Sequence, residues 1–176
     1  FSTHEIPASA RRALTQAHER GVRLFIATGR AANDLGPLEG IPYDGVVSLN
    51  GARCVANDGR VVSLHPIPRA DFERALALSE EQDFAMGLEL EEGVFVNRVT
   101  PDVKRVAHMV AHPVPEQTDL RELFGRVECC QLCFYFDAET QRRVMAELPT
   151  LVASRWCPIF ADVNVAGIDK ATGMEE

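Results

Sequence analysis

The chain has 176 residues, 46% of them from the set AVILMFWYC and 25% charged, and its 18 Lys+Arg against 26 Asp+Glu give a formal charge of −8. Such a composition supports a packed globular core, in one generous domain or two small ones, and excludes a disordered or fibrous chain. The acidic balance speaks against a general nucleic-acid or anionic-membrane binder, because phosphate backbones are held by clustered Lys and Arg, but it leaves room for one local phosphate site.

No apolar run approaches the roughly 18 residues that span a bilayer. The first 21 residues lack the charged start and apolar centre of a signal peptide. An odd count of five cysteines in a chain of this size fits a reducing compartment. The expected location is therefore cytoplasmic, with no membrane and no nucleic acid as partner.

Pro7 opens a helix whose Ala10, Ala13, Leu14 and Ala17 share one face, and Gly21 closes it. Residues 22–27, Val-Arg-Leu-Phe-Ile-Ala, read as a strand buried on both faces of a parallel sheet. It leads directly into Thr28-Gly29-Arg30. A short helix is predicted over 31–38 and a second apolar strand over 45–49, ending at Asn50-Gly51-Ala52. Helix, strand, helix, strand is the rhythm of a doubly wound α/β layer. Residues 53–56 and 60–64 flank Asn57-Asp58-Gly59, a hairpin signal. The pair of prolines in His65-Pro66-Ile67-Pro68 marks a stiff connector and a domain boundary.

Beyond this boundary lies a self-contained α+β module. Its helices are predicted at 71–81, 101–111 and 138–148, and its strands at 84–90, 94–97, 129–136 and 151–156, with a loop rich in Pro and acidic residues before 129. Pro158 reads as the exit, and 159–165 reads as a return to the first domain, with a last helix near Lys170. The expected division is 1–66 and 159–176 for the first domain and 67–158 for the inserted module.

Several residue groups invite chemistry. In an open α/β sheet, ligands bind beyond the carboxyl ends of the strands, so Thr28 and Gly29, and Asn50 at the end of the next strand, should converge on one anion. Lys170 at a helix start opposes the helix dipole, a placement that a bound anion would explain. Cys129, Cys130 and Cys133 weigh a metal site against buried core thiols, and the core reading is preferred because Cys-x-x-Cys in a strand puts its sulfurs on opposite faces. His108 and His112 stand i, i+4, yet Met109 sits where a zinc protease needs Glu, so surface or half-buried histidines are expected. Glu89, Glu91 and Glu92 read as a solvated hairpin end, with substrate selection as the sharper alternative. Trp156 reads as a core anchor rather than a sugar platform.

Thr28, Asn50 and Lys170 in this order, with an α+β module between the second and third, resemble the haloacid dehalogenase-like (HAD) hydrolases, and specifically the Cof-type sugar-phosphate phosphatases. The matching strings are Leu24-Phe25-Ile26-Ala27-Thr28-Gly29-Arg30, Ser48-Leu49-Asn50-Gly51-Ala52 and Asp162-Val163-Asn164-Val165-Ala166-Gly167-Ile168-Asp169-Lys170. The opening Ser2-Thr3-His4-Glu5-Ile6-Pro7 is similar to the segment directly after that family's nucleophile motif.

The resemblance implies an α/β fold: a Rossmann-like doubly wound HAD core, incomplete here, with an inserted α+β cap domain. It implies a Mg²⁺-dependent phosphatase of small phosphorylated metabolites working through an aspartyl-phosphate, as a monomer or homodimer. Thr28 and Lys170 would clamp the phosphoryl oxygens as catalytic groups, and Gly29, Arg30 and Asn50 would complete the phosphate site. The family's Asp-x-Asp-Gly-Thr nucleophile motif and its Gly-Asp-x-x-Asn-Asp motif are not in this sequence. Asp162 and Asp34 offer no substitute. No metal ligand is therefore assigned within the chain, which is expected to be inactive by itself as an internal portion of a phosphatase. The alternative is a non-catalytic module that binds a phosphometabolite with the same core and cap.

Overall fold

The structure, a computed structural model, describes residues 6–36, 38 and 40–176, and the chain divides into two compact units. One unit comprises Phe1–Leu64 and Asp169–Glu176; the other is His65–Ile168.

The first unit begins with α1 (Ala8–Glu19), entered through Pro7 as predicted. Gly21 takes φ +86° beyond its end, where its N–H reaches the His18 carbonyl and the Val22 N–H reaches Ala17. This pair of bonds satisfies the last orphan carbonyls of the helix, a closure that calls for a left-handed residue.

Four strands come next, in the order β1 (Phe25–Ala27), β2 (Gly45–Ser48), β3 (Arg53–Ala56) and β4 (Val61–Leu64). β1 and β2 are parallel, whereas β2, β3 and β4 are antiparallel. The β3–β4 hairpin turns at Asn57-Asp58-Gly59 as its sequence demands, with Gly59 at φ +84°. The last helix (Lys170–Glu175) belongs to this unit.

Two local expectations change here. The strand predicted over 22–27 shortens to three residues, and instead of being buried on both faces it leaves Phe25 47% exposed. The physical reason is its position, because β1 is outermost in the sheet among the described residues and pairs only with β2. All four residues of β2, one strand further in, are buried. The helix predicted over 31–38 is a single 3-10 turn, Ala32–Asp34. Gly36 turns left-handed at φ +65°, as suits a residue kept from helical geometry by the following proline. The rest of that prediction, at Pro37 and Glu39, lies outside the described residues, as do Ser2 to Glu5 of the opening string.

In the second unit, six strands run in the order β7-β6-β5-β8-β10-β9: β5 (Ala85–Leu90), β6 (Gly93–Val96), β7 (Glu116–Gln117), β8 (Gln131–Tyr135), β9 (Leu151–Cys157) and β10 (Phe160–Val165). Its helices are α2 (Arg69–Glu81), α3 (Pro101–Met109), α4 (Leu120–Phe124) and α5 (Ala138–Met145). One sheet face presents Met86, Leu88, Leu132, Phe134, Ala161 and Val163 to Phe72 and Leu76 of α2 and Val144 of α5. The other packs Ala85, Cys133, Tyr135 and Phe160 with Val103 and Val106 of α3. Period-2 alternation in β5 and β8 divides the residues between these faces.

The expected return segment at 159–165 is corrected. Phe160–Val165 is β10, paired antiparallel with both β9 and β8, so the chain re-enters the first unit only at Asp169. Pro158 is a turn residue of the β9–β10 hairpin, a place that asks nothing of its missing N–H, and Ala161 and Val163 are fully buried on the sheet face that packs against α2 and α5. Trp156 is likewise not a core anchor. It projects from the outer strand β9, 47% exposed, against the Phe160 ring at 5.3 Å.

Candidate functional site

Thr28 directly follows β1. Its N–H donates to the Val47 carbonyl on β2 (2.8 Å), and its carbonyl accepts from the Asn50 N–H (3.0 Å). The Arg30 carbonyl accepts from the Leu49 N–H (3.1 Å). These three bonds stitch the end of β1 to the turn after β2, so Thr28, Gly29, Arg30 and Asn50 share one sheet edge.

The Thr28 Oγ1 accepts from the Arg30 N–H at 3.1 Å. A hydroxyl that accepts in this way keeps its own proton to give. A Cβ built on Gly29 would lie 2.9 Å from Asn50 Oδ1, so the bare glycine is what lets the Asn50 amide lie against the backbone there. The Arg30 guanidinium reaches Asp34 Oδ2 at 3.1 Å in an exposed i, i+4 pair, which holds its charge close to the same edge.

Three successive residues in the turn after β2 have positive φ: Leu49 at 49°, Asn50 at 57° and Gly51 at 104°. Left-handed geometry is cheap for Gly, tolerable for Asn and costly for a buried Leu, and such strain concentrates where function requires a fixed backbone. The sequence hinted at this only through the Asn-Gly pair.

Lys170 is the first residue of the last helix, and its side chain is exposed. Asp169 caps the helix through a reciprocal box: its carboxylate accepts from the N–H groups of Ala171 (2.8 Å) and Thr172 (2.9 Å), and its own N–H donates to Thr172 Oγ1 (2.9 Å). The Thr172 and Ala171 N–H groups hold the Asp169 carboxyl below the usual carboxylate range. The Asp169 backbone lies against Gly51, since a Cβ on Gly51 would stand 1.9 Å from the Asp169 carbonyl oxygen. The segment carrying Lys170 thus adjoins the segment carrying Asn50, which in turn adjoins Thr28.

One further group was not assembled from the sequence. Glu89 on β5, Cys133 on β8 and Asp162 on β10 bring one ligand atom each to within 4.8 Å of one another, in the second unit. The signal lay in strand register, with Cys133 opposite both Gly87 and Asp162, and register is not readable from one sequence. The Gln131 amide donates to Glu89 Oε2 at 2.6 Å, so Glu89 is not part of a merely solvated hairpin end. Burial first, then Glu89 and Asp162, push the Cys133 thiol well up, so it stays protonated at neutral pH.

All five cysteines are buried and unpaired with one another. Cys129, just before β8, packs in one core cluster and Cys133 in the other; four residues apart in a regular strand they would share a face, so the alternation does not reach back to Cys129. His108 and His112 are both exposed, and His112 lies beyond the end of α3, so no helical i, i+4 pair exists. Among the described residues, no helix is long and apolar enough to cross a membrane.

A family model described as haloacid dehalogenase-like hydrolase matches residues 1–176. The chain is similar to YkrA of Bacillus subtilis (strain 168), provisionally named a phosphatase, with 25% identity over 177 residues covering 97% of this chain and 66% of the relative. Among solved structures, it is similar to BT1666 from Bacteroides thetaiotaomicron, described among phosphatases of the HAD superfamily: 54% identity, TM-score 0.94, 99% of this chain and 65% of that one. BT4131, described as a HAD subclass IIB sugar phosphatase, matches with 28% identity and TM-score 0.85 over 99% of this chain and 68% of that one. The chain spans about two thirds of the length of these relatives.

Proposed function

The chain belongs to the haloacid dehalogenase-like hydrolases, and from that premise we propose that it carries the phosphate clamp and the cap of a Mg²⁺-dependent phosphatase for small phosphorylated metabolites. The observation that carries the reading is the stitched edge itself: Thr28, Gly29, Arg30 and Asn50 on one pair of strand ends, with the Asp169–Lys170 segment seated against Gly51.

Phosphoryl transfer spreads charge over the equatorial oxygens of the transferring group, and donors fixed in advance stabilise that charge without reorganising. In this reading the Thr28 hydroxyl, oriented by the Arg30 N–H, gives its proton in a hydrogen bond to one phosphoryl oxygen. The Gly29 N–H and the Asn50 amide serve a second. Lys170 supplies a full positive charge, and Arg30 a further donor plane toward the leaving group. The second unit serves as the cap that chooses among leaving groups.

Magnesium would screen the phosphoryl oxygens and the attacking carboxylate from each other. The described residues at this edge do not supply a carboxylate set for it: Asp34 pairs with Arg30, and the Asp169 carboxylate is turned into the helix end. The Glu89, Cys133 and Asp162 group lies in the other unit and includes a thiol, a poor match for a hard cation. The aspartyl nucleophile is equally a requirement that these residues do not meet, since no Asp-x-Asp followed by Gly-Thr occurs in the sequence.

The test is turnover. The 176 residues alone, and the same residues together with whatever the gene encodes on either side, are assayed with Mg²⁺ on p-nitrophenyl phosphate and a panel of sugar phosphates. Release of phosphate by the longer form and none by the shorter is the expected result. No release by either folded form, on any substrate, would sink the phosphatase reading in favour of a module that binds phosphometabolites without cleaving them.

A further inference from the structure

Two glycines meet where the last helix docks. A Cβ on Gly51 would lie 1.9 Å from the Asp169 carbonyl oxygen, 2.4 Å from its carbon and 3.1 Å from its Cα, all of them backbone atoms that no rotamer can move aside. Gly51 also holds φ +104°, which other residues rarely adopt. From the helix side, a Cβ on Gly173 would lie 3.1 Å from the Gly51 Cα, 2.7 Å from Val47 Cγ1 and 3.1 Å from Cys54 Sγ. The buried Cys54 thiol donates to the Gly173 carbonyl at 3.2 Å and fastens the same joint.

We propose that Gly51 and Gly173 are positioning residues: their bare faces form a joint that fixes how closely Asp169–Lys170 approaches Asn50 and Thr28, and so sets the span of the phosphate clamp. The inference rests on the phosphate-site reading above and adds to it which residues hold the clamp at its working width. Neither glycine has a side chain to offer a ligand, and in this proposal each acts through Lys170. A side chain at position 51 must drive the Asp169–Lys170 backbone outward by an ångström or more. Misplacement on that scale can cost about 10²-fold in rate where groups must be held in register, and the same loss of register weakens their hold on a bound phosphate.

The test uses the 176-residue chain, with inorganic phosphate as the probe and backbone amide NMR shifts as the readout. Gly51→Ala, Gly173→Ala, Lys170→Ala and the Gly51→Ala/Lys170→Ala double variant are compared with the parent chain. Gly51→Ala is expected to weaken phosphate binding by about tenfold or more, close to the effect of Lys170→Ala. The double variant should bind no more weakly than the weaker single one, because residues that act through one another are not additive. A merely structural glycine would give losses that multiply, and that outcome overturns the proposal.

If Gly51→Ala does not fold, Gly173→Ala decides in the same way. Its Cβ would meet buried Val47 at 2.7 Å and the Gly51 backbone at 3.1 Å, so it strains the same joint, while alanine itself suits a helix. Phosphate binding by the parent that is unchanged in the glycine variants overturns the positioning role and leaves the clamp reading standing. No phosphate-dependent shift at Thr28, Gly29, Asn50 or Lys170 in the parent overturns both.

Discussion

Replacing Gly29 by alanine should separate binding from stability at this edge. Gly29 has no positive φ, so its backbone tolerates a Cβ. The three atoms nearest to the added Cβ all belong to the Asn50 side chain: Oδ1 at 2.9 Å, Nδ2 at 3.3 Å and Cγ at 3.4 Å. Relief to ordinary contact moves the amide by roughly half an ångström, and a side-chain tip can do this without disturbing packing. If an ångström of misplacement costs about 10²-fold, half of that costs about tenfold, or about 1.4 kcal/mol of binding. Folding stability should change by less than about 0.5 kcal/mol, as for substitutions away from core and caps. Urea denaturation and phosphate titration on the same samples measure the two quantities. Phosphate affinity equal to that of the parent would refute the role given to the Asn50 amide, and a large stability loss would refute the claim that only a side-chain tip is in the way.

Other outcomes rest on single residues. Ala111 ends α3 at φ 57°, a left-handed position that costs a Cβ-bearing residue about 1 kcal/mol or more, so Ala111→Gly should raise the urea midpoint of the second unit, and an unchanged or lower midpoint contradicts the strain. Phe134 is fully buried, with its ring 5.2 Å from Phe84 and 5.3 Å from Phe136, so Phe134→Ala should cost about 3–5 kcal/mol by the same measurement. Because the Asp169 carboxyl is held below its ordinary range, its contribution to stability is complete above the unfolded value of about 3.9 and is lost as pH falls through the lower folded value. A carboxyl carbon NMR titration should place its midpoint below that of an unstructured Asp, and Asp169→Asn should remove this part of the acid sensitivity; a midpoint at or above the ordinary value contradicts the cap.

Much of the architecture was legible from pattern. Pro7 and Gly21 marked α1, and Asn57-Asp58-Gly59 marked the β3–β4 hairpin. These are local signals, in which each residue dictates its own backbone geometry. What failed was set by neighbours. Phe25 reads as a buried strand residue but stands outermost in its sheet among the described residues, and β10 reads as a return to the first unit because Pro158 looks like an exit when it is a hairpin turn. The site shows the same division: Thr28, Asn50 and Lys170 were singled out from strand ends, a helix start and family resemblance. The glycine joint that seats Lys170, and the register that gathers Glu89, Cys133 and Asp162, depend on contacts across the chain that no periodicity records.

The central claim is that the edge formed by Thr28, Gly29, Arg30, Asn50 and Lys170 holds a phosphoryl group. Titration of the isotope-labelled chain with inorganic phosphate, monitored residue by residue through the amide shifts, tests it most directly. Saturable shifts centred on Thr28, Gly29, Asn50 and Lys170, lost together in Thr28→Val, are the expected result. Shifts spread over unrelated surface arginines, or saturable binding that survives Thr28→Val and Lys170→Ala together, would contradict it.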